Sequence, residues 1–265
     1  MAVLEVSGVS IAFGGLQALQ SVSCHVNAGE MAGLIGPNGA GKTTLFNVIS
    51  GFLAPDAGSV RFMERELLGR STEERATLGI GRTFQSVRVF GALTVEENLL
   101  VPRDVREPTS FPASLLRSPW AVLEERRSAE HVRGILHLLE LEPLKDRLAG
   151  DLPLGLRRRV ELGRALTGRP RLLLLDESAS GMDSRETEAL AADLVRVRDL
   201  LGVTILLIEH DVSLVMAICD YLYVLNFGQI MAEGRPAQVR SNPRVIEAYL
   251  GAGAEAEEAG VPARP

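Results

Sequence analysis

Lysine is nearly missing from this chain of 265 residues: of its 28 lysines and arginines, only Lys42 and Lys145 are lysines. A chain that uses arginine almost everywhere yet keeps lysine at one position has a use there for a compact ammonium rather than a planar fork. Cysteine is scarce as well. Cys24 and Cys219 lie far apart and match no metal or redox spacing, so two buried, reduced thiols are expected. No apolar run reaches the length a membrane-spanning helix needs, so no segment is expected to cross a bilayer. The first residues lack the basic region and apolar stretch of a signal peptide, which points to the cytosol. Positive charge is not in excess either. The formal net charge of −6 argues against a general nucleic-acid-binding surface. There is no internal repeat, and no Asn-Lys-x-Asp guanine-reading motif.

What is present is concentrated around one of the two lysines. Residues 36–44 read Gly36-Pro37-Asn38-Gly39-Ala40-Gly41-Lys42-Thr43-Thr44, with four residues between Gly36 and Gly41. An apolar stretch, Met31–Ile35, precedes them and suits a buried strand, and residues 44–51 suit a helix. This is the strand–loop–helix context of a nucleotide-phosphate loop. Glycines let several backbone N–H groups point at one phosphate chain, and the helix N-terminus adds its positive dipole end. Lys42 would reach the β- and γ-phosphates, and the Thr43 hydroxyl would ligate Mg²⁺. A second piece lies at residues 171–177, an apolar strand ending in Asp176 and Glu177. Strands this apolar are buried on both faces, and ligands of α/β sheets sit at their C-terminal ends. Asp176 would help to hold Mg²⁺, and Glu177 would orient or deprotonate an attacking water.

The rest of the chain reads as α/β. Residues 2–35 alternate like strands, residues 57–63 add another, and Ser71-Thr72-Glu73-Glu74 opens a helix. Residues 94–150 form a mostly helical block, with a proline-interrupted stretch from Pro102 to Pro119 expected to be exposed and irregular. His131 and His137 fall on helical spacing there and are expected to be ordinary helix residues. From residue 157 onward, helices alternate with apolar strands, which favours a parallel sheet covered by helices. Residues 251–265, rich in Ala, Glu, Gly and Pro, are expected to be disordered.

Together these segments resemble the ATPase subunit of an ABC transporter over nearly all of residues 3–250. The resemblance implies a single ATPase domain over residues 1–250: a phosphate-loop NTPase core, an N-terminal antiparallel β subdomain and an inserted helical subdomain near residues 86–165. It also implies the remaining site residues. Phe13 would stack on adenine. Gln85, in Arg82-Thr83-Phe84-Gln85, would contact Mg²⁺ and the attacking water and sense the membrane partner. Asp183, in Ser180-Gly181-Met182-Asp183, would communicate across a dimer. His210, at the end of an apolar strand, would be the switch histidine near the γ-phosphate. The implied ligands are ATP and Mg²⁺. The implied partners are membrane permease subunits, a second ATPase subunit and, indirectly, an extracytoplasmic solute-binding protein, with the chain peripheral on the inner face of the membrane. Val87, Val89 and Phe90 suit the permease contact.

Three segments look closest to the ATPases of branched-chain amino-acid importers: residues 82–90, 93–100 and 242–251. Importers of urea or other hydrophobic ligands resemble it closely too. One motif departs from the family. The usual Leu-Ser-Gly-Gly-Gln signature is here Leu152-Pro153-Leu154-Gly155-Leu156, and Ser178 stands where proline usually follows the acidic pair. Pro153 lacks both a hydroxyl and an N–H. Gly155 remains, and its helix N-terminus is expected to favour an anion across the dimer. A regulatory or weakly hydrolysing subunit is therefore a rival reading.

Overall fold

The computed structural model describes residues 1–106 and 119–248, so the expected tail at 251–265 lies outside the described residues. The chain divides into two compact units, Met1–Arg75 with Thr204–Pro265, and Ala76–Val203.

In the first unit, β1 (Ala2–Phe13) and β2 (Leu16–Asn27) form an antiparallel hairpin. Leu4, Val6, Val9 and Ile11 of β1 turn one face into the core, as their near-alternation requires. β4 (Ala57–Phe62) lines up antiparallel on the other side of β1, and the short β5 (Arg65–Glu66) completes the order β2-β1-β4-β5. Gly58 has φ +96°, and a Cβ there would lie 2.6 Å from the backbone of Gly8, so the two strands meet only because it is glycine.

A second sheet portion in this unit carries the parallel strands. β3 (Met31–Ile35) runs parallel to both β8 (Thr204–Ile208) and β9 (Tyr221–Asn226), and β10 (Gln229–Gly234) returns antiparallel to β9. Every residue of β3 and β8 is buried, as expected of strands covered on both faces. Helix α1 (Lys42–Ser50) follows β3. Its last carbonyls would be orphans. Arg75, itself only 3% exposed, donates to Val48 O at 2.6 Å and Ile49 O at 2.8 Å and so satisfies two of them. Arg75 lies in α2 (Thr72–Leu78). The start read from Ser71 and Glu74 is a capping box: Glu74 accepts from Ser71 N, and Ser71 Oγ accepts from Glu74 N.

In the second unit, β6 (Ile80–Arg82) pairs in parallel with β7 (Leu172–Asp176). Helices α3 (Val95–Arg106), α4 (Pro119–Leu138), α5 (Leu154–Thr167) and α6 (Ser184–Leu201) make up most of the remainder. The expected helical subdomain near 86–165 falls inside this unit, which also holds β6, β7 and α6. The expectation of an irregular stretch from Pro102 to Pro119 is corrected at both ends. α3 continues through Pro102 to Arg106, and α4 opens on Pro119. Proline is at home in a first helical turn, where its missing N–H would have no partner anyway. In α3 the fully buried Val95 and Leu99 hold the helix while Pro102 gives up one backbone bond. Residues 107–118 lie outside the described residues. Val132, Ile135, Leu136 and Leu139 are buried at helical spacing, and His137 points to solvent while His131 is half-buried. Burial and the nearby charge of Arg169 hold the His131 imidazole below its ordinary pKa, so it is a neutral helix residue at pH 7.

A charge network centred on the buried Asp193 ties α5 and α6 to Glu140, which follows the end of α4. Asp193, with no exposed surface, faces Arg159 Nε at 2.7 Å and Arg196 Nη2 at 2.5 Å, and Arg196 also reaches Glu140 at 2.8 Å. Burial pushes the Asp193 carboxyl above its ordinary range against the pull of the two guanidinium groups. Removing one member of such a network strands the others. Asp193→Ala is expected to destabilise the protein by about 3 kcal/mol. A urea titration checks this, and an unchanged midpoint would show that the arginines find water instead.

Candidate active site

In the first unit the phosphate loop leaves the C-terminal end of β3 and enters α1. Two of its glycines are required by contact as well as by conformation. A Cβ at Gly36 (φ +154°) would lie 2.0 Å from Leu225 O, and one at Gly41 (φ +104°) would lie 2.6 Å from Ala18 O. Gly39, also at positive φ, faces open space, and Asn38 beside it is exposed. Pro37 and Ala40 close the turn through Ala40 N to Pro37 O at 3.2 Å, and Ala40 O accepts from Gly228 N at 3.0 Å, which anchors the loop on the β9–β10 turn. Lys42 is 6% exposed, and its Nζ donates to Gly36 O at 2.7 Å and Pro37 O at 2.9 Å. The ammonium is thus held inside the curl of the loop by the loop's own carbonyls. Thr43 is exposed and Thr44 half-buried in the first turn of α1.

His210 and the loop share one sheet edge. Leu34 of β3 is in register with Ile208 of β8, so both chains leave the same end of adjacent parallel strands. His210 is exposed there. Asp211 follows and caps α7 (Val212–Ile218), its Oδ1 accepting from Ser213 N at 2.9 Å and Leu214 N at 3.1 Å. Phe13 ends β1 before Gly14 and Gly15 and is 47% exposed, a ring open to stacking.

In the second unit Asp176 ends β7, 4% exposed, and its Oδ2 accepts from Arg82 Nη2 at 2.9 Å. Arg82 ends the neighbouring β6, so the pairing of parallel strands puts the two together. Glu177 has φ +50°, a left-handed conformation that costs a non-glycine residue about 1 kcal/mol or more and persists where surroundings impose it. Its Oε2 accepts from Gln85 Nε2 at 2.6 Å, so two residues 92 positions apart in the chain are joined. Val87 and Val89 are half-buried, and Phe90 is 48% exposed with the Arg164 guanidinium 4.8 Å above its ring.

In the signature region Pro153 is the N-cap of α5 and supplies no side-chain cap. The Gly155 N–H donates to Glu186 Oε1 at 3.3 Å, and a Cβ at Gly155 would lie 2.6 Å from that oxygen. Glu186 also caps α6 together with Asp183: Asp183 Oδ1 accepts from Glu186 N at 2.8 Å, and Glu186 Oε2 accepts from Asp183 N at 3.2 Å. One carboxylate therefore bridges the Asp183 turn and the start of α5. Sequence reasoning missed Glu186, although the Asp-x-x-Glu spacing is a capping-box signal. It also missed Arg82 and Arg158, whose partners are far away in the chain.

A glycine-built phosphate loop between a buried parallel strand and a helix, and a second buried strand ending in two carboxylates, define a phosphate-loop nucleotide-binding protein. The family model described as "ABC transporter" matches residues 19–180, and the chain belongs to that family. A model described as "Branched-chain amino acid ATP-binding cassette transporter" matches residues 229–255. The chain is 43% identical over 249 residues to the high-affinity branched-chain amino acid transport ATP-binding protein BraF of Pseudomonas aeruginosa, covering 94% of this chain and 98% of that protein. It is 40% identical over 248 residues to the corresponding protein LivG of Escherichia coli K12, covering 94% and 97%. Among solved structures, the ADP conformation of an ATP-binding cassette of an ABC transporter superposes with a TM-score of 0.82 at 37% identity, covering 95% of this chain and 99% of that one.

Proposed function

We propose that this chain is the ATP-binding and ATP-hydrolysing subunit of an importer of branched-chain amino acids. The observation that carries this reading is likeness along the whole length to ATP-binding proteins of that transport class, including the match at residues 229–255. The phosphate loop supports the nucleotide half. Lys42 would neutralise the β- and γ-phosphates, while the loop and α1 amides cradle them and Phe13 stacks on the base. Hydroxyl and carboxylate oxygens, from Thr43 and Asp176, are the hard donors Mg²⁺ takes, with the Gln85 amide oxygen a further one; the ion would offset phosphate charge. Glu177 would orient or deprotonate the attacking water, with Gln85 and His210 as its helpers. The partners in this reading are a membrane permease, met around residues 85–90, a second ATPase subunit and a solute-binding protein outside. No helix among the described residues is long and apolar enough to cross a membrane, so the permease would supply the transmembrane path. Reconstitution with the permease in vesicles, with ATP inside and labelled leucine outside, tests this reading. Uptake without ATP, or ATP hydrolysis that leucine transport never accompanies, would refute it.

The signature supports a second point. Leu156 lacks the hydrogen bonds of glutamine, and Pro153 offers neither hydroxyl nor N–H. Losing one charge-assisted bond to phosphate costs on the order of 2 kcal/mol, about thirtyfold in rate when it acts in the transition state. An isolated homodimer is therefore expected to hydrolyse slowly. The triple variant Pro153→Ser, Leu154→Gly, Leu156→Gln should raise turnover several-fold, up to about thirtyfold. A steady-state ATPase assay checks this. An unchanged rate would show that Gly155 and the helix dipole suffice.

A further inference from the structure

Helix α5 grips the segment that carries Gln85. Arg158, 5% exposed, donates through Nη1 to Phe84 O at 3.1 Å and through Nη2 to Gln85 O at 2.6 Å. One turn on, Glu161 is 3.6 Å from Arg158 Nη1 and accepts from Arg88 N at 3.3 Å. A turn further, Arg164 donates to Arg88 O. Three charged side chains of one helix thus hold the backbone of residues 84–88 by its own polar groups. A planar guanidinium with two donors on consecutive carbonyls fixes orientation as well as distance.

The third nitrogen of Arg158 is placed differently. Arg158 Nε, Thr83 Oγ1 and Ser178 Oγ are all buried and lack a hydrogen-bond partner among the described residues. All three residues line one cavity of about 10 Å³, with Glu161 and four leucines completing its wall. Buried polar atoms are costly unless satisfied, and that volume is just enough for one water with these three as its polar partners. Thr83 stands just before the held segment, and Ser178 directly follows Glu177.

We propose that Arg158 is a positioning residue for ATP hydrolysis, holding the Gln85 backbone so that its amide meets Glu177, with one water in the Thr83–Arg158–Ser178 cavity tying that segment to the Glu177 turn. This rests on the reading of Glu177 as the residue that prepares the attacking water. Arg158 itself touches no reacting atom in this arrangement, and its effect passes through Gln85.

Four proteins test it: the wild type, Arg158→Lys, Gln85→Ala and the double variant. Lysine keeps the charge and cannot hold both carbonyls. Arg158→Lys should lower kcat about tenfold with KM for ATP within about twofold, since a small misplacement at a reacting centre is costly. Added to Gln85→Ala, it should change kcat by less than about twofold, because both act through one contact. In amide hydrogen exchange, which needs no hydrolysis, residues 84–88 should exchange about tenfold faster in Arg158→Lys at an unchanged melting temperature. Losses that multiply in the double variant, a raised KM at constant kcat, or unchanged exchange would each overturn the proposal. Should Arg158→Lys not fold, Thr83→Val leaves the cavity water one partner short at constant volume. It should lower kcat about threefold and speed the same exchange, and wild-type values in both would overturn the proposal. A wild-type protein without ATPase activity would instead refute the functional reading and leave the exchange result to decide the positioning.

Discussion

Lys42→Ala is expected to lower ATP hydrolysis at least a hundredfold while the protein stays folded. The ammonium is held inside the loop by the loop's own carbonyls, Gly36 O and Pro37 O. Preorganised charge aimed at a phosphate is worth about a hundredfold to a thousandfold when it is removed. The loop conformation itself is imposed by Gly36 and Gly41 against Leu225 O and Ala18 O, and neither contact involves the lysine. The stability lost should therefore be that of the ammonium's bonds to Gly36 O and Pro37 O, on the order of 3 kcal/mol. Steady-state ATPase rates, fluorescent-nucleotide titration and a thermal melt check the three parts. Wild-type turnover by a folded Lys42→Ala protein would sink the assignment of the loop.

Glu177→Gln is expected to lower kcat by about a hundredfold or more and to trap ATP. Glutamine has the same shape, and its carbonyl oxygen can still accept from Gln85 Nε2, so the 2.6 Å contact and the left-handed backbone at this residue should persist. What would be lost is the carboxylate charge that, in the proposed role, draws a proton from water. With phosphate contacts intact and hydrolysis slowed, the ATP-bound dimer should accumulate. Size-exclusion chromatography with ATP and Mg²⁺ should then show a species of twice the monomer mass. A variant that remains monomeric and hydrolyses ATP at the wild-type rate would give Glu177 another role.

The two predictions differ in what made them legible. The phosphate loop could be read from residues 31–51 alone, because its strand, its glycine spacing and its helix are local signals, while Leu225 O and Ala18 O add the distant contacts that require Gly36 and Gly41. A buried strand needs five apolar residues, the curl needs glycine, and the helix starts where the glycines stop. The acidic pair after β7 and the capping box at Ser71–Glu74 were open to the same reading. At Ser71–Glu74 the groups that satisfy one another lie three residues apart, and the acidic pair shows as an apolar run that ends in two carboxylates, so the local pattern is sufficient to find both.

A role for Gln85 could be expected from a family likeness and one for Glu177 from its place after the apolar strand, but the contact between them is beyond the reach of local spacing, since 92 positions separate the partners. Arg158 and Glu186 carry even less local signal. An arginine in Arg157-Arg158-Arg159 looks like a solvated charge run, and only the packing of α5 shows that its middle member is buried on two carbonyls 74 and 73 positions away. Glu186 looks like the end of a cap, and only the approach of α5 puts its second oxygen on Gly155. Pro102 shows the opposite case, where a local helix-breaking signal yields to the burial of Val95 and Leu99. The sequence by itself determined the strand–glycine loop–helix at residues 31–51 and most of the other strands and helices, because hydrogen bonds and apolar periods within a few residues decide these. The tertiary structure alone decided which polar groups satisfy one another across long separations. That choice depends on which buried donors and acceptors packing leaves facing each other, and no local spacing encodes it.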